Sequence, residues 1–413
     1  MTAETKAGTS GWGRGLTRNV VILGFVSLLN DGASEMIYPL LPAFLTTALG
    51  AGPEALGVIE GIAEATASLL KLYSGYLSDR VKRRKSWIVA GYTISNVIRP
   101  VIAFSTSWLH VLALRFSDRV GKGLRTSPRD AIIADSTPAE FRGKAYGFHR
   151  AMDHGGAIIG PLAATALLLL YHDNIKTIFL LSFIPGFLAV LTLVFGLQEK
   201  RAESHRAAQS ATFNFRSSWA EMSTGFRKYL VIIFVFTLGN STDAFLLLRA
   251  QQLGVTVTLL PTIWVALHIV KMGFSVPGGI ISDSIGRKKV IVTGWIVYAL
   301  VYTGFGMASQ QWHAWALFAV YGIYFGLTEG VEKALVADLA PAHLRGSAFG
   351  LYHMIVGVGA FPASLFFGLV WQKLGSTAAF AMGAGLALLA SVMLSILTVG
   401  KPGHPDNSRR HKG

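Results

Sequence analysis

The sequence predicts an all-α membrane protein: twelve transmembrane helices in two pseudo-symmetric six-helix bundles. Three observations carry that prediction. The 413 residues are 52% hydrophobic and only 14% charged, with mean hydropathy +0.48, whereas a soluble chain carries about a quarter charged residues. Apolar windows long enough to cross about 30 Å of hydrocarbon recur along the chain. Two motifs recur in the second half at nearly one spacing.

The windows lie near 19–45, 54–78, 86–105, 109–134, 146–171 and 176–197, then near 229–250, 258–282, 289–308, 312–336, 347–372 and 376–399. Residues 1–17 form a polar tail without the pattern of a cleaved leader, so the first apolar helix is expected to stay as a span. Residues 18–197 make the first bundle, 198–228 a polar Ser/Arg-rich linker, 229–400 the second bundle and 401–413 a basic tail. The net charge of +15 is concentrated in alternate loops: Arg80 to Lys85, Arg142 and Lys144, the linker, Arg287 to Lys289 and the C-terminal tail. That alternation follows the positive-inside rule and predicts cytoplasmic termini and a cytoplasmic linker. It assigns the basic charge to topology and argues against a nucleic-acid partner. The 45 glycines suit close helix packing in lipid. The chain has no cysteine, which excludes disulfides and thiolate metal sites.

The repeat is the most specific feature. Ala134-Asp135-Ser-Thr-Pro138-Ala139-Glu-Phe-Arg142-Gly143 returns as Ala337-Asp338-Leu-Ala-Pro341-Ala342-His-Leu-Arg345-Gly346, 203 residues later. Gly75-Tyr-Leu-Ser78-Asp79-Arg-Val-Lys-Arg83 returns as Gly279-Ile-Ile-Ser282-Asp283-Ser-Ile-Gly-Arg287, 204 residues later. Two motifs in one register imply duplication of a six-helix unit.

With these residues in view, the chain resembles the major facilitator superfamily. The Gly75–Lys85 stretch and its echo at Gly279–Lys289 are similar to motif A of that family, and Arg119-Val-Gly-Lys122-Gly123 to its R-x-x-Q-G motif. Gly156-Ala-Ile-Ile-Gly160-Pro161 resembles the G-x-x-x-G-P antiporter motif. The resemblance implies the family's fold, with inverted repeats inside each bundle around a midplane cavity. It also implies a cytoplasmic gate. There Asp79 would face the helix N-terminus near Gly346 beside Gly75, and Arg83 would pair with Asp135. Asp283, Arg287 and Asp338 would repeat this, with Arg142 and Arg345 completing the two copies.

Ionisable residues inside the spans mark the pathway, because lipid cannot solvate them. On a helical wheel Arg115, Asp118, Arg119, Lys122, Arg125, Arg129 and Asp130 fall within an arc of roughly 140°. Asp31 and Glu35 on the first span, Glu60 and Glu64 on the second and Asp153 on the fifth are candidate proton carriers. Asp31 lies about 20 Å along its helix from Arg18, inside the hydrocarbon. The expected coupling step alternates one acid between protonation and pairing with Arg119 or Arg125. Tyr38, Arg119, Lys122, Arg125, Arg150, Asn240, Asp243, His268, Lys271 and Glu329 are candidate cavity residues, with Trp264, Tyr321, Tyr324 and Tyr352 as possible aromatic lining. His268 and Met272 share an H-x-x-x-M spacing, but Lys271 beside them argues against a metal. No nucleotide loop, zinc motif or catalytic serine elbow appears, so neither an enzyme nor a cofactor is expected. The expected activity is monomeric, proton-coupled secondary transport of a small molecule across the cytoplasmic membrane. The antiporter resemblance tilts it towards export, while the basic face of the fourth span supports the alternative, uptake or facilitated transport of a polar or anionic metabolite or a metal chelate.

Overall fold

The computed structural model describes residues 15–41, 44–50, 53–81, 83–171, 174–199, 219–255 and 259–397. Most of the linker and both tails lie outside the described residues, as does the Glu60 side chain. The described chain is helical throughout, without strands.

In order, the helices are α1 (Arg18–Ile37), α2 (Pro53–Val81), α3 (Arg84–Val101), α4 (Trp108–Ser136), α5 (Arg142–Leu170) and a broken sixth, α6a (Ile175–Leu181) and α6b (Phe183–Gly196). The second half opens with a broken helix, α7a (Thr224–Gly239) and α7b (Ala244–Gln252). It continues with α8 (Leu260–Ile285), α9 (Arg287–Met307), α10 (Gln311–Leu339), α11 (Arg345–Leu374) and α12 (Ser376–Ile396). Among the described residues, nine helices are long and apolar enough to cross a membrane. The other three spans miss for visible reasons: α2 and α4 carry too many charges, and α7 is interrupted at Asn240–Asp243.

Local chemistry sets the helix ends. Thr17, Ser107, Asn174 and Ser223 accept hydrogen bonds from backbone N–H groups of the first turns of α1, α4, α6a and α7a, satisfying donors that the helix leaves open. Pro138 and Pro341 bias the preceding residue to extended backbone, ending α4 at Ser136 and α10 at Leu339. α7a begins at Thr224 rather than at 229, because Ser223 caps it and Arg227 and Lys228 ride on its first turn. α1 ends at Ile37, where a 3-10 turn over Tyr38–Leu40 takes in Pro39, and a π-helical turn follows over Phe44–Ala48.

The molecule is apolar outside and ionic inside. Leu169, Phe195, Leu300, Phe361 and Ile396 are exposed, while Arg99, Arg115, Asp118, Arg125, Asp130 and Lys333 are buried. That distribution suits lipid as solvent. The halves meet along two related seams, α2 against α11 and α5 against α8, with α10 also touching α5. Each seam has glycine on both sides. A Cβ at Gly75 would strike the Gly346 carbonyl, and one at Gly279 the Gly143 carbonyl, so only glycine permits this approach.

Candidate transport pathway

At the end bearing the basic loops, each seam is closed by a carboxylate capping a helix of the other half. Asp79 accepts from the Gly346 and Ser347 N–H groups at 2.9 and 2.7 Å, at the positive N-terminus of α11. Asp283 does the same for Gly143 and Lys144 at the start of α5, at 2.9 and 2.8 Å. Around them run two arginine–carboxylate chains. Arg84 bridges Asp79 and Asp135, and Arg345 also reaches Asp135. Arg287 bridges Asp283 and Asp338, and Arg142 reaches Asp338 at 2.6 Å.

Arg83 is not part of this chain. It precedes α3 and is exposed; Arg84, the first residue of the helix, takes the place expected of Arg83. The first copy has one more residue between aspartate and arginine than the second, so the register falls from 204 to 203 within that loop. A gapless alignment of the motif therefore selects the wrong arginine.

Deeper in, Lys333 donates to Asp130 at 2.7 Å, and His353 lies 2.9 Å from the same oxygen. Arg129 donates to the other carboxylate oxygen at 3.1 and 3.2 Å. Asp130 and Lys333 are 203 residues apart, so repeat-related residues touch each other, which places the pair on the pseudo-two-fold axis. The preceding positions, Arg129 and Glu332, also carry opposite charges. Glu332 accepts from Trp295 and Tyr352, each at 2.9 Å.

A second cluster joins α5 to α8 and α10. Arg150 pairs with Asp153 at 2.9 Å and with Glu329 at 3.1 Å. His154 lies 3.3 Å from Glu329 and 3.2 Å from His268, and His149 sits 2.9 Å from the Ser27 hydroxyl and 3.5 Å from Asp153. Asp153 is thus held by a guanidinium rather than standing free as a proton carrier.

The charged arc of α4 does not face one space, because α2 and α3 pack on its two sides. Asp118 turns to Arg99 at 3.1 Å and Arg115 at 3.5 Å. Arg125 donates to Ser95 at 2.6 Å and to the Gly91 carbonyl, with its guanidinium over the Tyr92 ring. It is a buried tie to α3, so its expected place in the cavity is corrected. What remains central is a set of weakly held charges. Glu64 is 56% exposed at its side chain, with Lys71 its one ion-pair partner among the described residues, at 3.8 Å; the arginine partners expected for it are not the ones found. Asp31 takes a hydrogen bond from Asn30 at 2.9 Å. Among the described residues no cation lies within 4.0 Å of Asp31 or Glu35, and no carboxylate within that distance of Lys122. The Arg115 guanidinium lies 5.7 Å from the exposed Tyr38 ring.

Gly156 and Gly160 hold α5 against the acidic stretch of α1. A Cβ at Gly156 would come 3.0 Å from the Asp31 Cβ, and one at Gly160 would come 2.8 Å from the Glu35 Cβ. The motif ending at Pro161 therefore seats the two acids.

In the second half, Asp243 at the α7 break accepts from Tyr321 at 2.6 Å and lies 4.0 Å from Lys271. Asn240, on the other side of the break, lies 3.4 Å from the Tyr298 hydroxyl. Lys271 sits 3.8 Å over the Phe325 ring and 5.7 Å from that of Trp264. Tyr321, Tyr324 and Tyr352 are buried and do not line a cavity: Tyr321 and Tyr324 pack with Tyr298. Among the described residues no group of three or more histidines and acids is placed to hold a metal ion.

Sequence reasoning missed Arg99 and His353. Arg99 carried a signal, a lone cation in an otherwise apolar span. His353 carried none, since its partner Asp130 is 223 residues away.

A family model described as Major Facilitator Superfamily matches residues 23–328 and again 229–413. The chain belongs to the major facilitator superfamily. It is thus a multi-pass membrane transporter of small molecules and not an enzyme. The transporter is 37% identical to an uncharacterised MFS-type transporter of Methanocaldococcus jannaschii, over 92% of this chain and 95% of that relative. It is 24% identical to the class E tetracycline resistance protein of Escherichia coli, over 95% of this chain and 98% of that protein. Among solved structures, the human organic anion transporter MFSD10 superposes with a TM-score of 0.78 at 18% identity, covering 91% of this chain and 99% of that one. The Escherichia coli fucose:proton symporter gives a TM-score of 0.77 at 13% identity, covering 94% and 100%.

Proposed function

We propose that this transporter exports a small molecule across the cytoplasmic membrane by alternating access, driven by inward proton flow. One observation carries the reading. Every hydrogen bond and ion pair given above between the halves lies between the basic end and the His154–His268 pair, so the basic end is the closed one. With the termini and the 198–228 linker cytoplasmic, as the basic loops favour, this is an outward-facing conformation. Asp31 and Glu35 are the proton carriers, with Glu64 behind them, because acids without a close cation are the ones free to change protonation. The glycine motif that seats them supports the export direction. Uptake is the second reading, and Lys122, a cation without an acid within 4.0 Å among the described residues, is the observation that favours it.

Untargeted metabolite profiling of everted vesicles tests both. Export predicts at least one small molecule that accumulates in energised vesicles containing the protein and is lost when nigericin collapses the pH gradient. Accumulation confined to right-side-out vesicles would replace export by uptake. Cysteines placed singly at Ser210 and Ser309 should label from the inside and the outside respectively; reversed labelling overturns the orientation.

A further inference from the structure

The charges that join the halves differ in what each keeps when the halves part. At the basic end, Asp135 keeps Arg84 and Asp338 keeps Arg287, both arginines of their own half. Arg142 and Arg345 lose an acid there, but at the end that opens to water. Deeper in, Asp130 has Arg129 beside it on α4 at 3.1 Å, and Arg150 has Asp153 on α5 at 2.9 Å. Two deep charges have no such partner in their own half among the described residues. Lys333 pairs there only with Asp130, at 2.7 Å, and Glu329 only with Arg150 and His154, at 3.1 and 3.3 Å.

These two stand on one helix, α10, four residues apart. That spacing makes them neighbours on the helix surface, and glutamate before lysine is the favoured order for a pair. In the closed seam they form no ion pair with each other, because Glu329 is drawn to α5 and Lys333 to α4. A charge left bare in the interior is costly. An exchange of partners removes that cost, since the two charges that opening would orphan have opposite signs and lie within reach of each other. The repeat does not supply this pair twice. The positions 203 residues earlier are Thr126 and Asp130, so the arrangement belongs to α10 alone.

We propose that Glu329 and Lys333 are an ion-partner switch for alternating access. They are bound across the seam to Arg150 and Asp130 when the basic end is closed, and to each other when it opens. The proposal rests on the transport reading above only in that the halves part; it needs neither the export direction nor proton coupling.

The chain has no cysteine of its own, so spin labels can be placed at will. Glu140→Cys and Ala342→Cys put them on exposed positions of the basic-end loops of the two halves. In the full chain in lipid nanodiscs, their distance distribution gives the ratio of open to closed molecules. Glu329→Gln and Lys333→Gln each break a seam contact, and each also removes the open-state pair. That pair can be lost only once. The double variant should therefore exceed the product of the two single effects on the ratio by about twofold or more, the scale of one i,i+4 ion pair. Arg150→Gln with Lys333→Gln breaks the same two seam contacts from different ends and should be multiplicative. Where Lys333→Gln alone does not fold, the cycle is run on Asp130→Asn, which removes the acid left bare, and the same excess is expected. Multiplicative effects for Glu329 and Lys333, or an equal excess in the Arg150 control, overturn the switch. A distribution that stays short in every variant overturns it too. The export reading fails separately, when no solute responds to the pH gradient in everted vesicles.

Discussion

The two halves share one backbone plan and one gate, yet their interiors differ. The first half fills its centre with ions: Arg99, Arg115 and Asp118 in one cluster, with Asp31, Glu35, Glu64 and Lys122 on the neighbouring spans. The second half fills the corresponding space with rings. Phe236 stacks on Trp295 at 4.3 Å, Tyr298 on Tyr302 at 4.2 Å, and Tyr321 and Tyr324 close the group. Rings pack as a close-fitted solid, and their energy does not depend on protons. Carboxylates exchange protons, and their pairing changes with access to water. The comparison teaches that duplication preserved the carboxylate-capped seams and let the interiors diverge. On the proposed reading the first half holds the coupling charges, and the second gives it a body of packed rings to rock against.

The largest expected effect lies where the halves touch. Lys333→Met leaves Asp130 buried without its main cation and should destabilise the protein by about 3–5 kcal/mol. Adding Asp130→Asn should recover a substantial part, giving a non-additive double-mutant cycle by thermal unfolding. Additive losses would mean that the axis pair is incidental. Next comes the division of labour itself. Asp31→Asn and Glu35→Gln should abolish pH-driven accumulation in reconstituted vesicles while leaving substrate exchange, which needs no net protonation change. Tyr302→Phe in the ring cluster should leave the pH dependence as it was. If the tyrosine substitution shifts it and the acid substitutions do not, the roles of the halves are reversed.

A smaller effect is expected at the seams. Gly75→Ala places a methyl against the Gly346 carbonyl and should part the basic ends of the halves, seen as longer distances between spin labels there. Unchanged distances would show that the seam is not close-packed in the membrane. The smallest effects belong to the gate charges. Asp79→Asn and Asp283→Asn each weaken a charge at a helix N-terminus worth about 0.3–1 kcal/mol, and should shift the same distance distribution modestly and alike. Arg84→Ala should resemble Asp79→Asn, whereas Arg83→Ala should do nothing measurable.

The fold was legible because lipid imposes a simple rule: apolar runs of sufficient length must span, and basic loops alternate between its faces. The duplication was legible because the Asp-x-x-Pro-Ala and Gly-x-x-Ser-Asp copies lie in register. The site was legible in part. That a charge inside a span has to face protein was readable from residue type alone, as with the buried Asp118, Arg125 and Asp130. Partners were not, for two physical reasons. A helical wheel assigns every residue of an arc to one space, whereas α4 is packed on two sides, so Arg125 went to α3 and Asp118 to Arg99. Contacts between halves join residues some 200 positions apart, and nothing in the local pattern around His353 announces Asp130.

The pair on the axis bears on the history of the chain. On a two-fold axis of a symmetric dimer, a residue meets its own copy. In an assembly of two identical six-helix units, position 130 would face another position 130: two buried carboxylates, or two buried ammonium groups. An aspartate facing a lysine 2.7 Å away can be encoded only once the two copies have separate codons. The same holds for Arg129 and Glu332. A duplicated unit therefore gains opposite charges at this point only once its two copies have diverged in sequence.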